Sequence, residues 1–259
     1  PGLNGISFIA KTGRINEQNL YNYLYSFRSN SFIIALYAGG GAVKKKTKER
    51  LIQYRYYHWG PYLASYQLEE KELQTLEALF NKDKRRSYKT KLAGHVDDEY
   101  ALDIKKTFKV MAPYINSYCR GYLAFTGQKL CDKFRLTSAW VNYMKRHEFN
   151  PPHTHAADLS FVLFTKIPQE LIEENKNHES TDSGKGKLTG KGPGAISFST
   201  TYTADKYYIH SRSFFPARGN LFIFPASLIH WVYPFQKASG ERVSVSGNLK
   251  VWSLKKGAK

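Results

Sequence analysis

Two histidines with one residue between them, His153 and His155, are the first residues of this 259-residue sequence whose types and spacing could do chemistry. Alternate side chains of an extended chain share a face, so both imidazoles can point at one metal ion. A third histidine, His230, lies in an apolar segment, residues 221–231, where an imidazole has no packing advantage. Neutral imidazole is a common ligand of divalent metals. The three histidines together predict a metal site.

A strand with one polar face begins twelve residues after His230 and carries Arg242, Ser244, Ser246 and Asn248 at alternate positions. A hairpin between the two segments would bring Arg242 alongside His230, about one co-substrate length from the metal. A 2-oxo acid such as 2-oxoglutarate chelates iron through one end. Its distal carboxylate suits a forked, permanently charged guanidinium and a hydroxyl better than an ammonium. Arg242 and Ser244 are therefore predicted to bind 2-oxoglutarate.

The elements that must position these residues are mostly strands. From about residue 122 onward, short apolar or alternating runs separated by turn residues indicate a many-stranded β domain. These runs cover residues 122–125, 136–144, 159–164, 195–199, 221–224 and 242–252. Two amphipathic helical patterns precede them, at Leu73–Phe80 and at Ile104–Ile115. The predicted fold class is therefore mainly β with flanking helices.

A boundary near residue 45 is predicted from a change in composition. A glycine triplet at residues 39–41 is followed directly by a basic run over residues 44–50. The prediction is an N-terminal extension of unknown role over 1–44 and a main domain over 45–259. Within that domain, the polar stretch Glu173–Gly194 lacks the spacing of a phosphate-binding loop and is expected to be a mobile surface loop.

The net charge of +18 implies attraction to nucleic acid, an anionic surface or acidic substrates. The basic runs 44–50 and 82–91 are the candidates for such polyanion contacts. No apolar stretch approaches the roughly 18 residues of a membrane helix, and no signal-peptide pattern opens the sequence, so a cytoplasmic protein without membrane contact is expected. Cys119 and Cys131 match no zinc motif and are expected to be reduced thiols.

With these residues in place, the sequence resembles the 2-oxoglutarate/Fe(II)-dependent oxygenases, near the prolyl-4-hydroxylase-like branch and members encoded by tailed bacteriophages. The resemblance runs from about residue 55 to 250 and is carried by residues 138–143, 152–155, 158–163, 219–225, His230 and 242–244. It implies a double-stranded β-helix core of the jelly-roll or cupin-like type. It also implies Fe(II), 2-oxoglutarate and O2 as cofactor and co-substrates. The implied reaction is hydroxylation of a C–H bond in a peptide, protein or small molecule, with release of succinate and CO2.

The third metal ligand departs from the pattern of this family, which has a carboxylate two residues after the first histidine. That position here is His155, and the nearest carboxylate, Asp158, has the wrong strand parity. Three ligand sets are open: three histidines, His155 with Asp158, or His155 with Ala157 at the carboxylate position, as in halogenating members of the superfamily. Three imidazoles would leave the site more positive than two imidazoles and a carboxylate. The three-histidine set is the prediction.

Asn142 and Tyr143, on the strand that precedes the ligands, are predicted to line the co-substrate pocket. Two other classes of protein compete with the oxygenase interpretation. One is a cupin-type metal-binding β-barrel that uses no keto acid, and the other is a basic nucleic-acid-binding protein. Arg242 and Ser244 distinguish the oxygenase from the cupin, because only the oxygenase needs a carboxylate-binding pair.

Overall fold

Two antiparallel sheets built from short alternating strands form the body of the molecule. The computed structural model describes residues 8–10, 33–36, 50–52, 54–58, 61–80, 86–89, 92, 94–178, 190, 192–200 and 211–252. Side chains are described from residue 61 onward. Every structural statement below refers to this part of the chain.

The elements follow the strand-rich pattern that the sequence predicts, except that residues 122–125, which were expected to form a strand, belong to the helix Ile104–Thr126. In chain order the strands are β1 (Phe8–Ala10), β2 (Ile33–Leu36), β3 (Arg50–Ile52), β4 (Tyr54–His58), β5 (Tyr62–Gln67), β6 (Asp98–Ala101), β7 (Lys133–Met144), β8 (Asn150–His153), β9 (Leu159–Lys166), β10 (Ile196–Ser199), β11 (Ser211–Phe214), β12 (Asn220–Pro225), β13 (Ile229–Val232) and β14 (Arg242–Trp252). The described helices are α1 (Glu70–Glu77), α2 (Ile104–Thr126) and α3 (Gln169–Lys176).

The larger sheet has the order β4-β5-β12-β9-β14-β7-β6, and the smaller sheet has the order β11-β10-β13-β8. All of the pairings within these two sheets are antiparallel. Strands that are distant in sequence, such as β5 and β12, lie side by side, which is the topology of a jelly roll. The predicted double-stranded β-helix core with flanking helices is confirmed.

Helices α1 and α2 cover one face of the larger sheet. Helix α2 is capped at its N-terminus by Asp103, whose side chain accepts a hydrogen bond from the Lys106 amide, and at its C-terminus by Gly127 in the left-handed conformation with φ 71°. Its buried stripe includes Met111 and Tyr118 and packs against β5, β7 and α1. The sheet face opposite the helices is therefore left for the smaller sheet.

Strand alternation divides the core into two apolar clusters. Leu163 and Ile223 belong to the cluster shared with the helices, whereas Phe164 and Phe224 belong to the cluster between the two sheets. The inter-sheet cluster also contains Phe198 from β10. The functional side chains lie at one end of this space between the sheets.

A third, mixed sheet has the order β1-β2-β3, in which β1 and β2 are parallel and β2 and β3 are antiparallel. It includes strands from both sides of the boundary predicted near residue 45. The division into 1–44 and 45–259 stays a prediction. The basic run at 44–49 and most of the run at 82–91 lie outside the described residues. In the described part of the second run, Lys89 forms an ion pair with Asp97.

The prediction of a mobile loop over Glu173–Gly194 is wrong at both ends of this range. Its first residues are the last turn of α3, which is anchored by buried Leu171 and Asn175. The Asn175 amide donates to the Pro193 carbonyl oxygen at 2.9 Å, which ties the far end of the loop back to the helix. Residues 179–189 and 191 lie outside the described residues.

Two remaining expectations concern the cysteines and the membrane. Cys119 and Cys131 are free thiols whose sulfur atoms are 3.8 Å apart. Among the helices that the structure describes, none combines the length and the apolar character needed to cross a membrane.

Candidate active site

Three histidines converge where the smaller sheet meets the larger one. Strand β13 pairs with β8 so that His230 lies directly opposite His153, and His155 follows β8 by two residues. The ring centroids are 4.2 Å apart for His153 and His230, and 5.0 Å apart for each of the other two pairs. One ligand nitrogen from each ring lies within 4.8 Å of the others. The three nitrogens are therefore within coordination reach of a single ion.

The local sequence explains why β8 can hold two ligands at the rim of the sheet. Pro151 and Pro152 lack an N–H group, and β8 is an edge strand of the smaller sheet, where this loss is tolerated. Beyond the strand, the His155 amide donates to the Ala226 carbonyl oxygen at 2.9 Å, just before β13 begins. This hydrogen bond holds His155 beside the strand that carries His230.

Backbone carbonyls select the tautomer of two of the rings. Nδ1 of His153 lies 2.7 Å from the Pro151 carbonyl oxygen, and Nδ1 of His230 lies 2.9 Å from the Leu228 carbonyl oxygen. A carbonyl oxygen only accepts hydrogen bonds, so Nδ1 donates its proton in each pair. In a neutral imidazole the lone pair then resides on Nε2, which is the arrangement that metal-binding histidines adopt.

Burial keeps the three imidazoles neutral. It lowers the pKa of His153, lowers the pKa of His155 to about 4 and lowers the pKa of His230 to about 3. For His155 and His230, repulsion from a protonated His153 lowers the pKa further. At neutral pH the nitrogen lone pairs are free for a metal, and no proton has to be displaced from them.

Arg242 at the start of β14 is a fully buried cation, with 2% of its surface exposed. Its Nη1 donates to the Gly194 carbonyl oxygen at 2.9 Å, and its guanidinium carbon lies 5.1 Å from the centre of the Phe164 ring. Its Nε has no hydrogen-bond partner, and no carboxylate among the described residues pairs with it. Burial lowers the pKa of Arg242 to about 9. A buried charge left in this state is costly unless an anion pairs with it.

A polar row beside Arg242 completes this wall of the pocket. In the β14–β7 ladder Ser244 lies opposite Asn142. The Asn142 Nδ2 donates to the Ser244 hydroxyl oxygen at 3.4 Å and to the Ser246 hydroxyl oxygen at 3.3 Å. Among the residues that the structure describes, none forms a hydrogen bond with Oδ1 of Asn142. These three residues line the same pocket as the histidines and Arg242.

Two candidate residues are placed elsewhere. Tyr143 packs in the core cluster shared with the helices, with its ring edge-on to Phe80 at 6.4 Å, so it does not line the pocket. Neighbouring strand residues face opposite sides, and Asn142 occupies the pocket side. The side chain of Asp158 is hydrogen-bonded to β14, because its Oδ2 accepts a hydrogen bond from the Val251 amide at 2.8 Å. It is not part of the histidine group.

One pocket residue was not anticipated from the sequence. Glu99 of β6 is 2% exposed and lines the pocket, and its Oε2 has no hydrogen-bond partner within the described part of the chain. Burial raises the pKa of Glu99 to about 7, with a further upward contribution from the Glu148 carboxylate and an opposing one from Lys89. The sequence indicates this role only weakly. Glu99 and its neighbour Tyr100 would face opposite sides of a strand, and the acidic stretch that contains Glu99 is typical of a solvent-exposed surface.

Comparison with known proteins agrees with this geometry. Residues 138–248 match the family model described as "Putative 2OG-Fe(II) oxygenase", where 2OG stands for 2-oxoglutarate. No curated protein matches the chain. The matched segment contains the three histidines, Arg242 and Ser244. The resemblance to 2-oxoglutarate/Fe(II) oxygenases inferred from the sequence is confirmed. Fe(II) and 2-oxoglutarate are the cofactor and co-substrate of this family, and the histidine group can bind the iron.

Solved structures that resemble the chain share little sequence with it. A prolyl-4-hydroxylase from Pseudomonas putida is 14% identical, covering 73% of this chain and 92% of its own, with a TM-score of 0.46. A viral collagen prolyl hydroxylase from Paramecium Bursaria Chlorella virus-1, solved with 2OG, is 15% identical over 73% and 96%, with a TM-score of 0.43. The alpha-ketoglutarate-dependent epimerase SnoN from nogalamycin biosynthesis is 14% identical over 73% and 76%, with a TM-score of 0.46.

The first prediction concerns the third ligand. Asp158→Ala is expected to keep iron at the wild-type stoichiometry, because its carboxylate is engaged by the Val251 amide. His155→Ala, and equally His230→Ala, should lower iron affinity by roughly ten-fold or more, since each removes a ligand nitrogen. Metal analysis of anaerobically loaded protein measures both effects. Loss of iron from Asp158→Ala, with retention in His155→Ala, would move the ligand assignment to Asp158.

The second prediction follows from the histidine pKa values. In metal-free protein, His230 stays neutral down to a pKa of about 3, whereas the unfolded chain takes up a proton near the ordinary value of 6.5. The free energy of unfolding is therefore unaffected by His230 above pH 6.5 and falls as the pH drops below it. At pH 5 the loss from this residue is about 2 kcal/mol. Urea unfolding at pH 7, 6 and 5 should show a shallower decline for His230→Gln, and equal slopes would contradict the assignment.

Proposed function

We propose that this chain is an Fe(II)- and 2-oxoglutarate-dependent dioxygenase that hydroxylates a C–H bond of a peptide, protein or small molecule and releases succinate and CO2. The observation that carries the proposal is Arg242, a buried guanidinium with no counter-ion among the described residues, in the same pocket as three histidines within reach of one ion. A metal group alone would suit many functions. A metal group with a buried receptor for a carboxylate suits a keto-acid co-substrate.

The three histidines would hold the iron. Nε2 is the free nitrogen of His153 and His230, because the carbonyl oxygens of Pro151 and Leu228 accept the Nδ1 protons. When bound, iron and 2-oxoglutarate together supply the activation of O2 that oxidation of a C–H bond requires. The protein's own task is to orient the co-substrate and the substrate and to exclude water.

Arg242 would orient the co-substrate by its distal carboxylate. Its Nη1 is already held by the Gly194 carbonyl oxygen, and the Phe164 ring supports the guanidinium plane, so the free Nε edge is fixed in place before any ligand arrives. Ser244 lies two residues along the same strand face and presents a hydroxyl to the same pocket. Preorganised donors of this kind bind an anion without the cost of ordering a side chain.

Apolar side chains from both sheets close the rest of the pocket. Val162 comes from β9, Phe224 from β12, Ile196 from β10 and Val232 from β13, and all four are buried. Such walls lower the local dielectric and strengthen the attraction between Arg242 and a carboxylate. They also keep water away from a reactive site.

The alternatives considered from the sequence account for fewer of these contacts. A metal-binding barrel without a keto acid gives Arg242 no partner, although burying an unpaired guanidinium is costly. A nucleic-acid-binding protein would rely on the basic runs at 44–50 and 82–91, and it has no use for a buried histidine group. Contact of those runs with a polyanionic partner stays a prediction.

Turnover of 2-oxoglutarate is the direct test of the proposal. Iron-loaded wild-type protein is expected to form succinate slowly even without its true substrate, because iron and co-substrate are held independently of it. His230→Ala should abolish this activity, whereas Asp158→Ala, which alters no pocket residue, should retain it. Succinate is quantified with and without O2 and 2-oxoglutarate. Absence of both succinate formation and 2-oxoglutarate binding in the iron-loaded wild type would refute the function.

The co-substrate assignment is tested at Arg242. Arg242→Ala should weaken 2-oxoglutarate binding by about ten- to a hundred-fold, as expected for loss of a charge-assisted contact, while iron affinity stays near the wild-type value. Arg242→Lys should recover only part of the loss, since an ammonium lacks the forked donors. Arg135→Ala, on the exposed part of β7, is the matched control. Anaerobic titration of the metal-to-keto-acid absorption band measures the affinity, and an unchanged titration for Arg242→Ala would overturn the assignment.

A further inference from the structure

Glu99 occupies a defined place in the architecture of the pocket. In the β6–β7 ladder it lies opposite Asn142, which in the β7–β14 ladder lies opposite Ser244. Directly opposed residues of antiparallel strands share one face of the sheet. Ser244, Asn142 and Glu99 therefore form a polar row across three adjacent strands, and all three line the pocket.

One oxygen of the Glu99 carboxylate is buried without a hydrogen-bond partner among the described residues. This oxygen is Oε2, and no cation among the described residues forms an ion pair with the carboxylate. The charged groups that influence it are the Glu148 carboxylate, which is repulsive, and Lys89, which is already paired with Asp97. Isolated buried carboxylates are strongly unfavourable, so those that persist usually meet a partner that is not part of the fold.

Gly94 lies close to this carboxylate and to the Asn150 side chain, which also lines the pocket. A Cβ atom at Gly94 would lie 2.0 Å from Oδ1 of Asn150 and 3.6 Å from Oε1 of Glu99. Any side chain at position 94 would therefore press on this end of the pocket. Glycine at position 94 therefore lets the Asn150 side chain lie against the backbone beside Glu99, at this end of the pocket.

The two buried charges of the pocket do not neutralise each other. Arg242 is on β14 and Glu99 is on β6, with β7 between them, and no ion pair joins the two residues. Glu99 is also outside the group of metal-binding histidines. The pocket therefore has a cationic end and a separate anionic end. If the proposed function assigns the cationic end to 2-oxoglutarate, the anionic end is available to the substrate.

We propose that Glu99 determines substrate specificity by binding a positively charged, hydrogen-bond-donating group of the substrate, an ammonium or a guanidinium. This inference rests on the proposed function. The free Oδ1 of Asn142 offers a second acceptor in the same row. Ammonium carries three N–H donors and guanidinium five, whereas a hydroxyl carries one, so the cationic groups satisfy these acceptors best. The substrate class is therefore a basic peptide or a small amine.

The test uses simple probes of matched size. n-Butylamine and n-butylguanidine are compared with n-butanol for binding to the iron- and 2-oxoglutarate-loaded protein under anaerobic conditions, and to the metal-free protein, by calorimetry. Wild type is expected to bind the two cations at least about ten-fold more tightly than the alcohol. Glu99→Gln should weaken cation binding by about ten- to a hundred-fold and leave the alcohol unaffected. Glu99→Asp, which keeps the charge, should retain a preference for the cations.

Glu148→Gln is the control for charge at longer range, because the Glu148 carboxylate is already held by the amides of Asp97 and Lys145. It should change the cation preference by no more than about two-fold, as for a group outside direct contact. Equal binding of cations and alcohol to wild type, or an unchanged preference in Glu99→Gln, would overturn the inference.

The experiments distinguish an error in the role of Glu99 from an error in the oxygenase function. If wild type binds 2-oxoglutarate but shows no cation preference, the role of Glu99 is wrong and the oxygenase function stands. If the cation preference is present while 2-oxoglutarate does not bind to iron-loaded wild type, the oxygenase function is wrong and the pocket recognises cations for another purpose.

Discussion

The pairing of β8 with β13 is the constraint on which the site depends, because it places His153 opposite His230. Two ligands on facing strands are separated by the ladder itself, so their distance is set by backbone hydrogen bonds and not by flexible side chains. The carbonyl oxygens of Pro151 and Leu228 add a second restraint by holding each Nδ1. Everything else in the pocket is arranged around this backbone-defined pair.

Strand alternation then decides what surrounds the metal group. The larger sheet has helices on one face and the smaller sheet on the other. Two consecutive residues of a strand therefore face opposite sides: near the site, one packs in the core beside the helices and the other lines the pocket. On β14, Val243 faces the helices and Arg242 faces the pocket; on β7, Tyr143 faces the helices and Asn142 faces the pocket. A polar wall can therefore be placed on strands whose opposite face is part of an apolar core.

Parity also explains which site residues the sequence could reveal. His153 and His155 could be identified from their i, i+2 spacing, and Arg242 from the alternating polar residues of β14. The hairpin that was expected to bring Arg242 beside His230 is wrong, because β13 and β14 belong to different sheets. Tyr143 was misplaced because Asn142 and Tyr143, as neighbours, cannot both face the pocket. Glu99 was missed because its strand has four residues, and its partner across the sheet, Asn142, is known only once the non-local pairing is known. Helix α3 was missed because only Leu171 and Asn175 anchor it, too few for a periodic signal.

The net charge of the chain affects an anionic co-substrate and a cationic substrate in opposite ways. The chain carries a net charge of +18, which attracts a dianionic co-substrate from a distance but repels a cationic substrate. At physiological ionic strength both effects fade over about 8 Å, whereas a contact inside an apolar pocket is screened much less. In the proposed function, long-range attraction and Arg242 would therefore act together on the co-substrate, while recognition of a cation would have to come from close contact. A carboxylate that is exposed on the surface would be too weak for this purpose. A buried carboxylate with no ion-pair partner among the described residues, such as that of Glu99, can bind a cation strongly enough to overcome its repulsion by the positively charged chain.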